Sequence, residues 1–316
     1  MASSSSSSSP APATADRIGF VGASSMMGHG MAKNIVAKGF PLPLSVFRRR
    51  EPVADLLAAG AAEAASFAAV AAASDVVFVC VTGAPEVESV VLGAGGLLEG
   101  ARAGLVIVDT STSEPSMSAK LRAACAAKGA TFVDAPLART PVEAEAGRLN
   151  CMMGAEPAVF ERLLPVIKGV WAENVLHVGG PGAGHAIKLL NNMLAQAQCT
   201  ATAEAFAVAA KSGVDPHKLV EVVSLGAVNS GLFQMMAKTL VGDVGALKFE
   251  LNNARKDVRY YTHMAESVGV PSPVGDAVLG SLALASALGH GAKFVPALVQ
   301  AQEQINGVKI VGTPPA

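Results

Sequence analysis

The sequence has few residues that cross-link a chain or charge its surface. Four cysteines stand far apart, at Cys80, Cys125, Cys151 and Cys199, with no CxxC pair among them. That spacing excludes a disulfide framework and a zinc knuckle, and fits reduced thiols in a cytosol-like compartment. The six histidines (His29, His177, His185, His217, His263 and His290) show no metal-ligand spacing either, so no metal site is expected. Charged residues make up 16% of the chain and nearly cancel to a net −1, which excludes a general attraction to nucleic acid or acidic membranes. No run of 18 uncharged apolar residues exists. The greasiest stretch, 64–81, is mostly alanine and is interrupted by Asp75, so no membrane span is expected.

What is present is apolar bulk and glycine: 51% hydrophobic residues and 32 glycines in 316 residues, enough for two tightly packed domains. Residues 1–15 are a Ser/Pro/Ala tail that cannot bury a core and is expected to be disordered. The tail is rich in serine and free of acids, as a transit peptide would be, but it is short and lacks arginine. A cytoplasmic location is expected, with organellar import as the other reading.

From Arg17 onward, apolar runs alternate with helical periodicity. Strands are expected at 18–21, 42–47, 75–81, 104–109 and 130–134, with helices at 53–57, 85–92, 115–128 and 157–168 between and after them. Continuous apolar strands of this kind imply a parallel sheet covered on both faces, doubly wound with right-handed crossovers. After Gly184 the pattern is helical throughout, at about 184–211, 216–225, 228–241, 247–268, 273–288 and 294–304. The expected fold is therefore α/β over 16–180 and all-α over 181–316, joined by a long helix.

Three stretches carry chemistry. In the first, a strand runs through Gly22-Ala-Ser-Ser-Met-Met-Gly28 into a helix. That arrangement turns backbone N–H groups and a helix N-terminus toward an anion. It departs from GxGxxG by one extra residue and by serine at the middle glycine. In the second, the end of the second strand reads Arg48-Arg49-Arg50 where an NAD enzyme places an acid. This is either a seat for a 2′-phosphate, which favours NADP, or a solvated basic turn. In the third, Gly179-Gly-Pro-Gly-Ala-Gly-His-Ala-Ile-Lys188-Leu-Leu-Asn-Asn192 runs from a glycine-rich turn into a helix. Lys188 and Asn192 share one face of it, among apolar neighbours. A lysine there is either snorkelling to water or held for a purpose.

Together these motifs resemble the β-hydroxyacid dehydrogenase family, in the family's order from residue 17 to about 307. The opening Gly19-Phe-Val-Gly22…Met27-Gly28-His-Gly-Met-Ala-Lys-Asn34 is similar to its first motif. Asp109-Thr-Ser-Thr112 resembles its D-x-S-T strand end, and Asp134-Ala-Pro-Leu-Ala-Arg-Thr140 its substrate loop. Gly184-x3-Lys188-x2-Asn191-Asn192 resembles its catalytic helix, and Lys256-Asp257 its late K-D pair.

The resemblance implies a Rossmann domain, a helical domain, a homodimer or homotetramer, and NADP or NAD as cofactor; the arginines after the second strand make NADP the preferred expectation. It implies a small anionic carbonyl or hydroxy acid as substrate, bound between the domains, with Lys188 as general acid in reduction and base in oxidation. Asn192, Ser111, Arg139 and Thr140 would contact the substrate. Gly22, Ser24, Ser25, Met27, Gly28, Arg48, Arg49, Thr112 and Lys256 would contact the cofactor. An apolar setting beside a cationic nicotinamide gives such a lysine reason to titrate below its solution value.

In the substrate loop Ala138, Arg139 and Thr140 replace the family's Ser-Gly-Gly. Arg139 brings a planar cation suited to a sulfonate or a second carboxylate, as in the sulfolactaldehyde reductase branch; otherwise it points to solvent or pairs with Glu143. The altered glycine loop motivates one other reading, a family member with weakened catalysis that serves as a binding or scaffold protein. Imine reductase-like chemistry ranks below both, because those enzymes generally lack this lysine.

Overall fold

The computed structural model describes residues 15–46 and 50–315. The serine-rich tail, all but Ala15, and Arg48 and Arg49 lie outside these residues. The chain forms two compact units, one ending at Lys188 and the other running from Leu189 to Ala316. The boundary falls inside the helix Ala183–Lys211.

In the first unit the strands are β1 (Ile18–Val21), β2 (Pro43–Ser45), β3 (Ala62–Ala64), β4 (Val76–Val79), β5 (Val106–Asp109), β6 (Thr131–Asp134), β7 (Leu137–Ala138), β8 (Leu149–Gly154) and β9 (Ala172–Gly179). They form one sheet in the order β3-β2-β1-β4-β5-β6-β8-β7, with β9 paired to β8. From β3 to β6 every pairing is parallel, and the order reverses direction at β1/β4, as in a doubly wound dinucleotide fold.

The side chains of the central strands divide by parity. Ile18, Phe20, Val76, Phe78, Val106 and Val108 belong to the core on one face, and Val21, Val77, Val79 and Ile107 to the core on the other. Both faces are covered, which is why these strands read as unbroken apolar runs rather than as alternation.

Four strands escape the sequence pattern. β3 and β7 are three and two residues long. β8 is apolar but joins antiparallel to β6 and β7, so it has no helical crossover to announce it. β9 carries exposed Glu173, Asn174 and Leu176, and so lacks an apolar run.

The second unit is helical. The long helix contributes Cys199, Ala203, Phe206 and Ala207 to a core shared with Phe233, Met236, Leu251, Val258, Val278, Leu282 and Val299. Helices here run over Pro216–Ser224, Gly231–Ala237, Leu251–Ser267, Pro273–Ala285 and Ala297–Asn306. The expected helix at 228–241 is interrupted, because its last residues, Lys238–Val241, tighten into a 3-10 turn that ends at left-handed Gly242. No helix of the described residues is long and apolar enough to cross a membrane.

Candidate active site

The turn after β1 is shaped by glycine sterics. Gly22 has φ +95°, and a Cβ there would lie 2.1 Å from the carbonyl oxygen of Cys80, at the end of β4. A Cβ on Gly28 would lie 2.3 Å from the Gly22 carbonyl. Both positions therefore require glycine. The extra residue is taken up as a tight turn, in which Ser25 N–H donates to the Gly22 carbonyl at 3.0 Å.

Ser25 is then the N-cap of the helix Met26–Ala37, its hydroxyl accepting from Gly28 N–H at 3.0 Å and donating to the Cys80 carbonyl at 3.3 Å. Its hydroxyl is thus used within the turn, while Ser24 is exposed and Met27 half-buried. The first helical turn holds no acidic residue. A glycine-walled turn, an exposed serine and an acid-free helix N-terminus at the C-terminal ends of β1 and β4 fit the pyrophosphate of NAD or NADP.

Of the basic run after β2, only Arg50 is described. It pairs with Glu63 on β3 (Nη2 to Oε2).

β5 ends at Asp109, and the chain turns there. Asp109 Oδ1 accepts from Ser111 N–H at 2.9 Å, and the Ser111 hydroxyl accepts from Val81 N–H at 2.9 Å. Ser111 is buried and ties the turn to the strand beside it; Thr112 is half-buried at the same sheet edge.

β6 ends at Asp134, whose buried carboxylate accepts from Gly182 N–H at 2.7 Å and His185 N–H at 3.0 Å. It caps the helix that carries Lys188 from a different element of the fold. Burial pushes this carboxyl up, against the backbone donors that pull it down. Gly184 completes the clamp: a Cβ there would meet the Asp134 carbonyl at 2.5 Å and the Met152 carbonyl at 2.7 Å. The helix can begin only where glycine lets it lie flush on β6 and β8. Lys188 follows one turn later and is half-buried.

Arg139 and Thr140 are occupied locally. Arg139, with φ +82°, pairs with Glu173 on β9 and donates to the Arg148 carbonyl. The expected alternative pairing with Glu143 is not formed. Instead Glu143 and Thr140 make a capping box for the helix Pro141–Glu145, with Thr140 N–H donating to Glu143 Oε2 at 3.1 Å.

In the second unit Asn192 and Asp257 are both buried, and Asn192 Nδ2 donates to Asp257 Oδ2 at 2.6 Å. Lys256 Nζ lies 3.1 Å from Asp257 Oδ1 and 5.3 Å from the centroid of the Tyr260 ring. The Lys256 side chain is 15% exposed and that of Asp257 2%, so the pair is largely shielded from solvent.

The sequence motifs assign no role to Ser118 or His185. They share a 2.6 Å hydrogen bond, and His185 Nε2 lies 3.6 Å from Asp109 Oδ2, with all three residues buried. The only hint is a histidine one turn before the lysine.

Two family profiles match end to end. Residues 17–179 match the NAD binding domain of 6-phosphogluconate dehydrogenase, and residues 182–301 match the NAD-binding domain of NADP-dependent 3-hydroxyisobutyrate dehydrogenase. Among curated relatives, 2-(hydroxymethyl)glutarate dehydrogenase of Eubacterium barkeri is 34% identical over 94% of this chain and 98% of its own. The 3-sulfolactaldehyde reductase of Escherichia coli is 30% identical over 90% of this chain and 94% of its own. Among solved structures, a 3-hydroxyisobutyrate dehydrogenase from Salmonella typhimurium superposes with a TM-score of 0.77 at 28% identity, covering 90% of this chain and 98% of that one.

Proposed function

The chain belongs to the β-hydroxyacid dehydrogenase family, oxidoreductases that use NAD or NADP, and from that premise we propose an NADP(H)-preferring reductase of small anionic semialdehydes or 2-oxo acids. The observation that carries the proposal is the buried clamp of Asp134 and Gly184 on the first turn of the helix bearing Lys188. A solvated lysine on an unconstrained helix start would need no such anchoring.

The turn Gly22–Gly28 would hold the pyrophosphate, with Thr112 nearer the nicotinamide. When bound, the cofactor supplies or accepts the hydride at the substrate carbon. Lys188 delivers the balancing proton to the carbonyl oxygen in reduction, and removes it from the hydroxyl in oxidation. Asn192, one turn along the same helix, has one amide hydrogen committed to Asp257, and the other would serve a substrate hydroxyl or carboxylate.

Preference for NADP rests on Arg48 and Arg49 and is supported by the NADP-dependent profile that matches residues 182–301. An anionic substrate is supported by the names of the two relatives, which describe a dicarboxylic acid and a sulfonate. Arg139 reaches a substrate anion only by leaving Glu173, so the proposal gives first place in anion binding to Asn192.

The test is a panel of glyoxylate, succinic, tartronate and methylmalonate semialdehydes, sulfolactaldehyde and 2-formylglutarate, each with NADPH and NADH, followed by nicotinamide absorbance. Turnover of at least one anionic aldehyde with a preference for NADPH is expected. Binding of either cofactor with no turnover of any member would contradict the proposal.

A further inference from the structure

Lys188 is the last residue of the first unit, and two buried anchors precede it. Asp134 caps the backbone of the helix start. The second anchor is a line of side chains. Ser118, on the helix Pro115–Ala126, meets His185 Nδ1 at 2.6 Å, and His185 Nε2 faces Asp109 Oδ2 at 3.6 Å. With the proton on Nε2, facing the carboxylate, Nδ1 accepts from the Ser118 hydroxyl. His185 and Asp109 are fully buried and Ser118 nearly so. Three polar groups placed in a core are costly unless their geometry serves something.

What they join is specific. Asp109 Oδ1 holds the Ser111 N–H, and so fixes the turn that carries Thr112. His185 is three residues before Lys188 and neighbours it on the helix surface. The line therefore runs from the strand-end turn, through one imidazole, to the residue a single turn before the lysine. The backbone cap and the flush seat at Gly184 set where the helix begins. The side chains of His185, Ser118 and Asp109 add a restraint on its rotation, from one face of the first turn to the end of β5 and to the helix Pro115–Ala126.

We propose that His185 is a positioning residue for Lys188, with Ser118 and Asp109 holding its ring. Together they fix the rotation of the catalytic helix relative to the Ser111–Thr112 turn. The inference rests on the reading of Lys188 as the proton-transferring group.

The experiment compares His185→Leu, which keeps bulk but removes both ring nitrogens, with His185→Gln, which retains an amide able to reach Ser118. Ser118→Ala and Lys188→Ala are measured alongside. A displacement of about 1 Å at a reacting group costs on the order of a hundredfold. His185→Leu is therefore expected to lose roughly that factor in kcat, while KM for the aldehyde and the NADPH affinity stay within about threefold. His185→Gln is expected to recover about tenfold of the loss, and Ser118→Ala to lose several-fold in kcat. The fall of kcat/KM with rising pH, which reports deprotonation of Lys188, is expected to move in His185→Leu.

If His185 served stability alone, the variants would lower Tm and leave kcat per bound cofactor and the pH profile unchanged; that result overturns the proposal. Should His185→Leu fail to fold, Ser118→Ala decides, and an unaltered kcat there overturns it equally. Should Lys188→Ala turn over at the wild-type rate, the underlying reading fails. Loss of turnover in Lys188→Ala alone, with His185→Leu and Ser118→Ala unaffected, overturns the positioning role and leaves that reading standing.

Discussion

Asn192 and Asp257, 65 residues apart in the chain, meet at 2.6 Å in the core of the helical unit. The amide nitrogen of Asn192 donates inward to Asp257 Oδ2, and its oxygen accepts from Asn191 Nδ2 at 3.2 Å, so the amide plane is fixed from both ends. Lys256 balances the carboxylate from the other side at 3.1 Å. The late K-D pair thus reaches the Lys-x-x-Asn-Asn motif through a carboxylate that orients an amide. Asp257→Ala removes one partner of this buried set and is expected to cost about 3 kcal/mol of stability. Because Asn192 loses its orientation, kcat/KM is expected to fall about tenfold or more beyond what unfolding explains. Asp257→Asn keeps the shape and an acceptor, and is expected to retain most of the stability. Thermal unfolding and steady-state kinetics on the two variants check both statements.

Asp134→Ala is expected to destabilise the first unit by about 2 kcal/mol, since the buried N–H of His185 and the half-buried N–H of Gly182 lose their acceptor at once. Amide hydrogen exchange is the direct readout, with protection lost first over 182–188. Unchanged protection there would mean that the cap contributes nothing.

Two glycines with positive φ separate strain from collision. Gly95, at φ +70°, has nothing within 4 Å of where a Cβ would stand, so Gly95→Ala is expected to cost about 1 kcal/mol from backbone strain alone. Gly22 adds a 2.1 Å clash with a main-chain oxygen. Gly22→Ala is therefore expected to cost more stability and to weaken NADPH binding at least about tenfold, while Gly95→Ala binds as the wild type does. Cofactor fluorescence titration of both variants is the measurement.

His29 lies between two carboxylates, with Nδ1 2.6 Å from Glu145 and Nε2 3.1 Å from Asp55, and Lys33 joins Glu145 at 2.8 Å. Burial pulls the imidazolium down in pKa, but the hydrogen bonds and charges of Glu145 and Asp55 outweigh it and raise the pKa above 6.5. A raised histidine pKa stabilises the fold fully below the unfolded value and ceases to do so as pH rises through the folded one. The Glu145 and Asp55 carboxyls are held low, Asp55 chiefly by its hydrogen bond to His29, so their contribution is lost only in more acid solution. The stability gap between the wild type and His29→Gln is therefore expected to be widest between about pH 5 and 6.5 and to narrow towards pH 8. Unfolding midpoints in denaturant across that range check the sign; a gap that widens with pH would contradict it.

Much of the first unit was legible in the sequence because its central strands are buried on both faces, and a short continuous apolar run such as Val76–Val79 is what a strand inside a covered sheet requires. β8 and β9 were not legible: one enters antiparallel, and the other exposes half its side chains. At the site, the glycine turns could be read because sterics demand that residue type at those spacings, and Lys188 could be picked out as a candidate by its motif. The partners could not. Nothing in a serine at 118 or a histidine at 185 states that they meet in a core, and Arg139 gave no sign that Glu173, 34 residues on, would take it. Hydrogen bonds between distant side chains leave no periodic trace.

The central claim is that Lys188 provides the proton that balances hydride transfer. Single-turnover reduction of the best anionic aldehyde by NADPH-loaded enzyme, wild type against Lys188→Ala, isolates that step from substrate binding and product release. The expected result is a loss on the order of a thousandfold in the single-turnover rate, with NADPH affinity unchanged. A Lys188→Ala enzyme that consumes bound NADPH at the wild-type rate would contradict the account.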